Sequence, residues 1–161
     1  MKFPYYTTTA LEDIVSQWYI QHEFFHPEDL NIKDIGWENE ISLQFRPIQA
    51  SYIRIGNIKS IVVDSRLPNV VQREQFFHEL CHALRHAGCQ SMMPKGFYEL
   101  QERDAKHFTL YAALPSHMIQ DYSLHNPNII EQWSKDFKIP SYLCAERLEQ
   151  IKRRIVPNIT T

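Results

Sequence analysis

Apolar residues recur along this chain with two different periods, and the changes of period mark out its elements. From Leu11, the positions Leu11, Ile14, Val15, Trp18, His22 and Phe25 follow helical spacing, with Thr9 placed to cap the start and Pro27 to stop the run. Pro27-Glu28-Asp29-Leu30 then predicts a short second helix through Ile35, ended by Gly36, because Pro and acidic residues favour a first turn. Between Glu40 and Asp64 the period shortens. Ile41, Leu43 and Phe45 alternate, Tyr52, Ile53 and Ile55 precede Gly56-Asn57, and Ile61-Val62-Val63 follow, which predicts three short strands. Gly56 and Asn57 both tolerate positive φ and suit a hairpin turn, so the sheet is expected to be small and antiparallel or mixed.

The helical period returns after Leu67-Pro68-Asn69 and predicts a helix from about Val70 to His86, closed by Gly88. Beyond the Met92-Met93-Pro94-Lys95-Gly96 loop, Phe97, Leu100, Ala105, Phe108 and Ala112 mark another helix that Pro115 ends or kinks. A shorter helix follows from Ser116 to Tyr122. Two more fill Asn128 to Ile155, one carrying Ile129, Ile130, Trp133 and Phe137, the other Leu143, Leu148, Ile151 and Ile155. There is no repeat and no linker long enough to separate domains. The expectation is a single α+β domain over residues 1–161, with an N-terminal helix and sheet (1–68), central helices (69–125) and a C-terminal helical pair (126–161).

Composition supports a real core: 161 residues, 43% of them hydrophobic, are enough for one domain. A formal charge of −2 argues against bulk nucleic-acid binding. The basic run Lys152-Arg153-Arg154 reads as the solvated end of a packing helix rather than a DNA contact. Met1-Lys2-Phe3-Pro4 opens no secretory signal, and no stretch approaches membrane-spanning length, so a soluble cytoplasmic protein is expected. Cys81, Cys89 and Cys144 are odd in number and lack CxxC spacing, which suggests reduced, buried thiols rather than disulfides or a cysteine metal cage.

The candidate chemistry lies in a pattern that occurs twice. His-Glu-x-x-His appears as His22-Glu23-Phe24-Phe25-His26 and again as His78-Glu79-Leu80-Cys81-His82. Histidines four apart share one face of a helix and can reach one ion, while the adjacent Glu points toward a water bound there. The pattern requires continuous helix on both sides, a third ligand from elsewhere and an open coordination position. Pro27 directly after His26 biases that residue away from helical angles, and His22 falls on the apolar stripe, so the first copy reads as a cap or core edge. The second copy lies in mid-helix, where Phe77, Leu80, Leu84 and Ala87 can pack while His78 and His82 share a neighbouring stripe.

A third ligand can come from the next helix, which offers Glu99, Glu102, Asp104 and His107. Glu102 is the best candidate, because small Ala105 one turn on lets two helices approach closely enough for a direct carboxylate bond. His86 carries little weight as a ligand, since three successive turns of one straight helix span about 12 Å.

Phe76-Phe77-His78-Glu79-Leu80-Cys81-His82-Ala83-Leu84-Arg85-His86, then Glu102-Arg103-Asp104-Ala105-Lys106-His107-Phe108 and Leu114-Pro115, resemble the ImmA/IrrE-type metallopeptidases of the short, stand-alone kind. The resemblance spans most of the chain and includes the sheet before the motif and the Phe137-Lys138-Ile139-Pro140-Ser141 tail. It implies a zincin-like α+β fold, a small three-stranded sheet against a mainly helical body, with Zn2+ held by His78, His82 and Glu102 and with Glu79 as catalytic base. Two positions depart from the pattern: Cys81 stands where members commonly have Gly, and Thr109 where they commonly have Ala. Cys81 lies near the expected metal, which would allow redox sensitivity, although an inert buried thiol is the preferred reading.

By the same resemblance, the partner is a protein substrate, a helix-turn-helix repressor on a phage or other mobile element that cleavage inactivates, with no direct nucleic-acid role. The alternative is a non-catalytic binding module or toxin-antitoxin component that sequesters a regulator. A zinc hydrolase acting on something other than protein is a further rival. Oxyanion stabilisation needs a donor besides the metal, and Tyr98, Arg103, His107, Tyr111 and His117 are residue types able to supply it, left unranked by sequence.

Overall fold

A computed structural model describes residues 5–86 and 94–155. The predicted closing residue Gly88, together with Cys89, Met92 and Met93, lies outside the described residues. Tertiary contacts divide the chain into two compact units, Leu30–Thr109 on one hand and Met1–Asp29 with Leu110–Thr161 on the other.

The unit Leu30–Thr109 holds α2 (Ile32–Glu38), β1 (Ile41–Arg46), β2 (Ser51–Ile55), β3 (Ile58–Asp64), α3 (Asn69–Arg85) and the first turns of α4 (Lys95–Ala113), the remainder of α4 falling in the other unit. The sheet is mixed. Its order is β1-β3-β2, with β3 parallel to β1 (Leu43 opposite Ile61) and antiparallel to β2 (Tyr52 opposite Ile61). A central strand must bury an uninterrupted apolar run, and Ile61, Val62 and Val63 are all buried. The β2–β3 hairpin turns at Gly56-Asn57 as expected, with Gly56 supplying a φ of +60°. The apolar side of α3, Phe76, Phe77 and Leu80, is buried, and this helix packs against β3 and β2.

The second predicted helix is corrected. Pro27–Asp29 forms only a 3-10 turn, and α2 starts anew behind Asn31, whose side chain accepts from the Lys33 N–H at 2.9 Å. The Asp29 carboxylate turns back to accept from the Phe25 and His26 N–H groups at 2.9 and 2.8 Å, which closes the first turn rather than extending it. Gly36, expected to end the helix, sits inside it: a Cβ there would stand 3.0 Å from the Ile41 carbonyl oxygen, so its role is close approach to β1.

In the unit Met1–Asp29 with Leu110–Thr161, α1 (Ala10–Gln21) begins with the predicted Thr9 cap as a full capping box with Glu12. It stops four residues short of the expected end, and the reason is a Schellman closure. Glu23 takes a left-handed φ of 64°, Phe24 N–H bonds the Tyr19 carbonyl at 2.9 Å and Glu23 N–H bonds that of Ile20 at 3.2 Å. After α4, α5 (Ser116–Ile119) is shorter than expected, while α6 (Ile129–Phe137) and α7 (Ser141–Arg154) form the C-terminal pair. Trp133, Phe137, Ile139, Leu143 and Ile151 make its core.

Glu12 and Arg147 are fully buried there, with Arg147 Nη2 2.7 Å from Glu12 Oε1, a charge contact whose N–H is not aligned as a hydrogen bond. Arg154 reaches Glu12 Oε2 at 2.8 Å, so this residue of the basic run is an internal ion-pair partner. Burial pushes the Glu12 carboxyl up, but the Arg147 charge and hydrogen bonds from Tyr6 and Thr9 outweigh it and hold the group below its ordinary value. Among the described residues, no helix is long and apolar enough to cross a membrane.

Removing one partner of a buried ion pair strands the other charge. Arg147→Met is therefore expected to lower the unfolding free energy by about 3 kcal/mol in chemical denaturation at neutral pH. A loss below about 1 kcal/mol would show that Arg154 alone satisfies Glu12.

Candidate metal centre

The two copies of the histidine pattern end in different structures. His22 is the C-cap of α1, its Nδ1 2.8 Å from the Trp18 carbonyl and its ring stacked on Trp18 at 4.1 Å, and the left-handed Glu23 turns the chain away before His26. No helical face joins His22 to His26. The second copy lies wholly within α3, with Phe76, Phe77 and Leu80 anchoring the helix on one side.

His78, His82 and Glu102 come together. His78 Nε2 lies 3.2 Å from His82 Nε2 and 3.2 Å from Glu102 Oε2, and His82 Nε2 lies 3.1 Å from Glu102 Oε1. Ala105, one turn beyond Glu102, is fully buried, as a close helix approach requires. Of the other third-ligand candidates, Asp104 belongs to a neighbouring cluster with Cys81 and His86. Thr109, one of the two departures from the family pattern, is buried with its hydroxyl donating to the Ala105 carbonyl at 2.7 Å, so the extra polar group is satisfied within α4.

The donor set fits zinc by chemistry and by spacing. Two imidazole nitrogens and one carboxylate match the ligand types of a catalytic zinc site, and donors about 2.0–2.1 Å from a tetrahedral ion stand about 3.3 Å from one another. The observed separations are 3.1–3.2 Å. A ligand histidine must also be neutral. Burial holds the His82 imidazole below its ordinary value, with His78 and His86 adding to the effect and Glu102 opposing it.

Glu79 lies beside this triad. Burial pushes its carboxyl up to about 7; a backbone hydrogen bond from Tyr52 opposes the shift and the Glu102 charge adds to it. Cys81 is fully buried, and burial with the Asp104 charge pushes its thiol far above the usual range, which agrees with the inert reading and not with a redox switch.

The triad and Glu79 open into a cleft of about 790 Å³ whose opposite wall is Gln49, Ala50, Ser51, Tyr52, Ile53 and Arg54. Sequence reasoning did not single out this wall, because alternation in β2 shows which residues form a strand but not what its free edge faces. Of the oxyanion donors left unranked, Tyr98 lines the cleft. Tyr111 instead bonds Gln150 and Arg154 through its hydroxyl, and His117 bonds the Phe24 carbonyl.

Comparison with known proteins agrees with this geometry. A family model described as the IrrE N-terminal-like domain matches residues 28–149. The chain is 27% identical over 156 residues to the uncharacterised protein YqaB of Bacillus subtilis (strain 168), covering 96% of this chain and 91% of that protein. It is 28% identical over 152 residues to the phage-like element PBSX protein XkdA of the same organism, covering 89% of this chain and 74% of that protein. No solved structure matches significantly.

A carboxyl raised in the folded state binds its proton more tightly there than in the unfolded chain, so it subtracts stability as pH rises from its ordinary 4.5 through about 7. In metal-free protein, Glu79→Gln is expected to stabilise by up to about 3 kcal/mol at pH 8, with the gain vanishing near pH 4.5. Denaturant titration of both proteins at the two pH values checks this, and a difference independent of pH would contradict the desolvated carboxyl.

Proposed function

The chain belongs to the IrrE N-terminal-like domain family, a zincin-like metallopeptidase family, and on that footing we propose that it is a zinc-dependent endopeptidase cutting a partner protein at a specific site. The observation that carries the reading is the convergence of His78, His82 and Glu102 beside a desolvated Glu79 in an open cleft. In this reading His78, His82 and Glu102 are the ligands and Glu79 is the base. Zinc held there supplies Lewis acidity that activates water and polarises a carbonyl. Glu79, whose carboxyl burial raises in the metal-free site, is placed to take a proton from water and return it to a leaving amine. Tyr98 is a cleft-wall hydroxyl suited to steady the developing oxyanion.

The cleft also favours a peptide over a small molecule. Among the described strands β2 pairs only with β3, so apart from the Tyr52 backbone group that bonds Glu79 its other edge is open to an extended segment. We take the substrate to be a helix-turn-helix repressor of a mobile element. The resemblance to a phage-like element protein supports that choice. A pure binding module would have no use for a half-buried, raised carboxyl beside the ligands, which favours the catalytic reading over sequestration.

Glu79→Gln is expected to keep zinc while losing at least about 100-fold in cleavage, His78→Ala to lose both, and Glu23→Gln to change neither. Co-expression with a helix-turn-helix repressor encoded beside the gene, followed by mass measurement of its fragments, reads cleavage, and metal analysis of each purified variant reads zinc. Full cleavage by the Glu79→Gln variant would overturn the mechanism, and an intact regulator with wild type would overturn the partner assignment.

A further inference from the structure

His82 is contacted from both sides of its ring, and the second side has no place in the chemistry above. Its Nε2 faces Glu102 and His78, while its Nδ1 stands 2.9 Å from Nδ1 of His86. His86 in turn places Nε2 2.8 Å from Asp104 Oδ2. Asp104 is held across α3 and α4 by Arg85, whose Nε is 2.9 Å from Oδ2 and Nη2 3.3 Å from Oδ1. His82 and His86 are both largely shielded, with side-chain exposures of 9% and 10%.

Two ring nitrogens at this distance form a hydrogen bond only if one carries the proton and the other a lone pair. For neutral rings there are two arrangements. If His86 Nδ1 donates, its Nε2 turns a lone pair toward the Asp104 carboxylate, which repels it, and the His82 proton sits on Nε2, where it blocks a metal. If His82 Nδ1 donates instead, His86 Nε2–H donates to Asp104, and the His82 Nε2 lone pair faces Glu102 and His78. An ion among His78, His82 and Glu102 would satisfy that lone pair; without one, Glu102 opposes it as Asp104 opposes the first arrangement. An ionised carboxylate accepts and cannot donate, so in the ion-bound site Asp104 favours the second arrangement.

We propose that His86 and Asp104 are positioning residues, a two-bond relay that fixes the Nδ1–H tautomer and ring orientation of His82 so that its Nε2 is presented as a metal ligand. The inference rests on the zinc-site reading and adds to it a cause for the orientation of one ligand. The neighbouring donors Cys81, His86 and Asp104 lie within 4.8 Å of one another, yet they serve this support and not a second ion. Arg85 occupies both Asp104 oxygens, His86 has both nitrogens engaged, and the Cys81 Sγ lies 3.7 Å from Asp104 Oδ2 as its donor. A cation there would meet the guanidinium.

Two substitutions separate the bonds of the relay. An Asn side chain puts an oxygen near the position of imidazole Nδ1, and Gln puts its amide near Nε2. His86→Asn thus keeps an acceptor for His82, whereas His86→Gln keeps a donor for Asp104 and loses that acceptor. Zinc affinity of the full chain is measured by competition with a chromophoric chelator at one pH, alongside zinc stoichiometry and the melting midpoint of metal-free protein.

His86→Gln is expected to weaken zinc binding by about 10–100-fold, while His86→Asn stays within about threefold of wild type, with similar metal-free midpoints for both. Asp104→Ala, a second route if His86→Gln does not fold, is expected to weaken binding by about 10-fold. Equal affinities for wild type and His86→Gln, or equal losses in the Gln and Asn variants, would overturn the relay. A second zinc equivalent lost on Cys81→Ser would overturn it in favour of a two-metal cluster. Wild type that binds no zinc at all would instead overturn the functional reading beneath it.

Discussion

The structure of the unit Leu30–Thr109 turns on the close approach of α3 and α4. With both Nε2 atoms unprotonated, as metal ligation requires, three donors 3.1–3.2 Å apart repel one another and need support from elsewhere. They are held from behind. Phe76, Phe77 and Leu80 fix the rotation of α3 by burial, Ala105 of α4 is fully buried, and the Arg85–Asp104 pair at 2.9 Å ties the two helices together. Arg85 is partly exposed, so its charge contributes little to stability, and its value lies in orienting Asp104.

Partial burial at the cleft wall raises the Glu79 carboxyl. A carboxyl at the mouth of a wide, wet cleft would titrate like any other, but Glu79 is desolvated between α3 and β2 and answers to Tyr52 and Glu102. Stability and reactivity are in opposition here: an ionised Glu79 is unfavourable in the metal-free fold and useful to a hydrolase. β2 bounds the cleft with a free edge as well, so one short strand shapes both the base and the surface an extended chain would meet.

Legibility varied with how local the cause was. The 3.6-residue period located α3, α4, α6 and α7, and alternation with Gly56-Asn57 located the strands and hairpin. The ends of α1 and α2 were misjudged because side-chain and backbone caps decided them. Glu23 in the left-handed region and Asp29 bonding back to Phe25 and His26 leave no trace in hydrophobic periodicity. Pro27 pointed correctly to a weak first copy of the histidine pattern, but the break occurs earlier, at His22. Glu12, in the first turn of α1, is a buried partner of Arg147, 135 positions away, a pairing no local pattern reveals.

By itself the sequence determined the class of chemistry. Histidines four apart with a Glu between them, on a helix with a clean apolar side, put two imidazoles on one face for reasons of helical period alone, and Glu102 was the carboxylate with room to join them. Only tertiary structure decided which strand of the sheet bounds the site, which of the candidate hydroxyls lines it, and that His86 and Asp104 stand behind His82. The physical reason is that hydrogen-bond direction and desolvation depend on atoms brought together from distant segments, and linear spacing carries information only as far as one helix or one hairpin reaches.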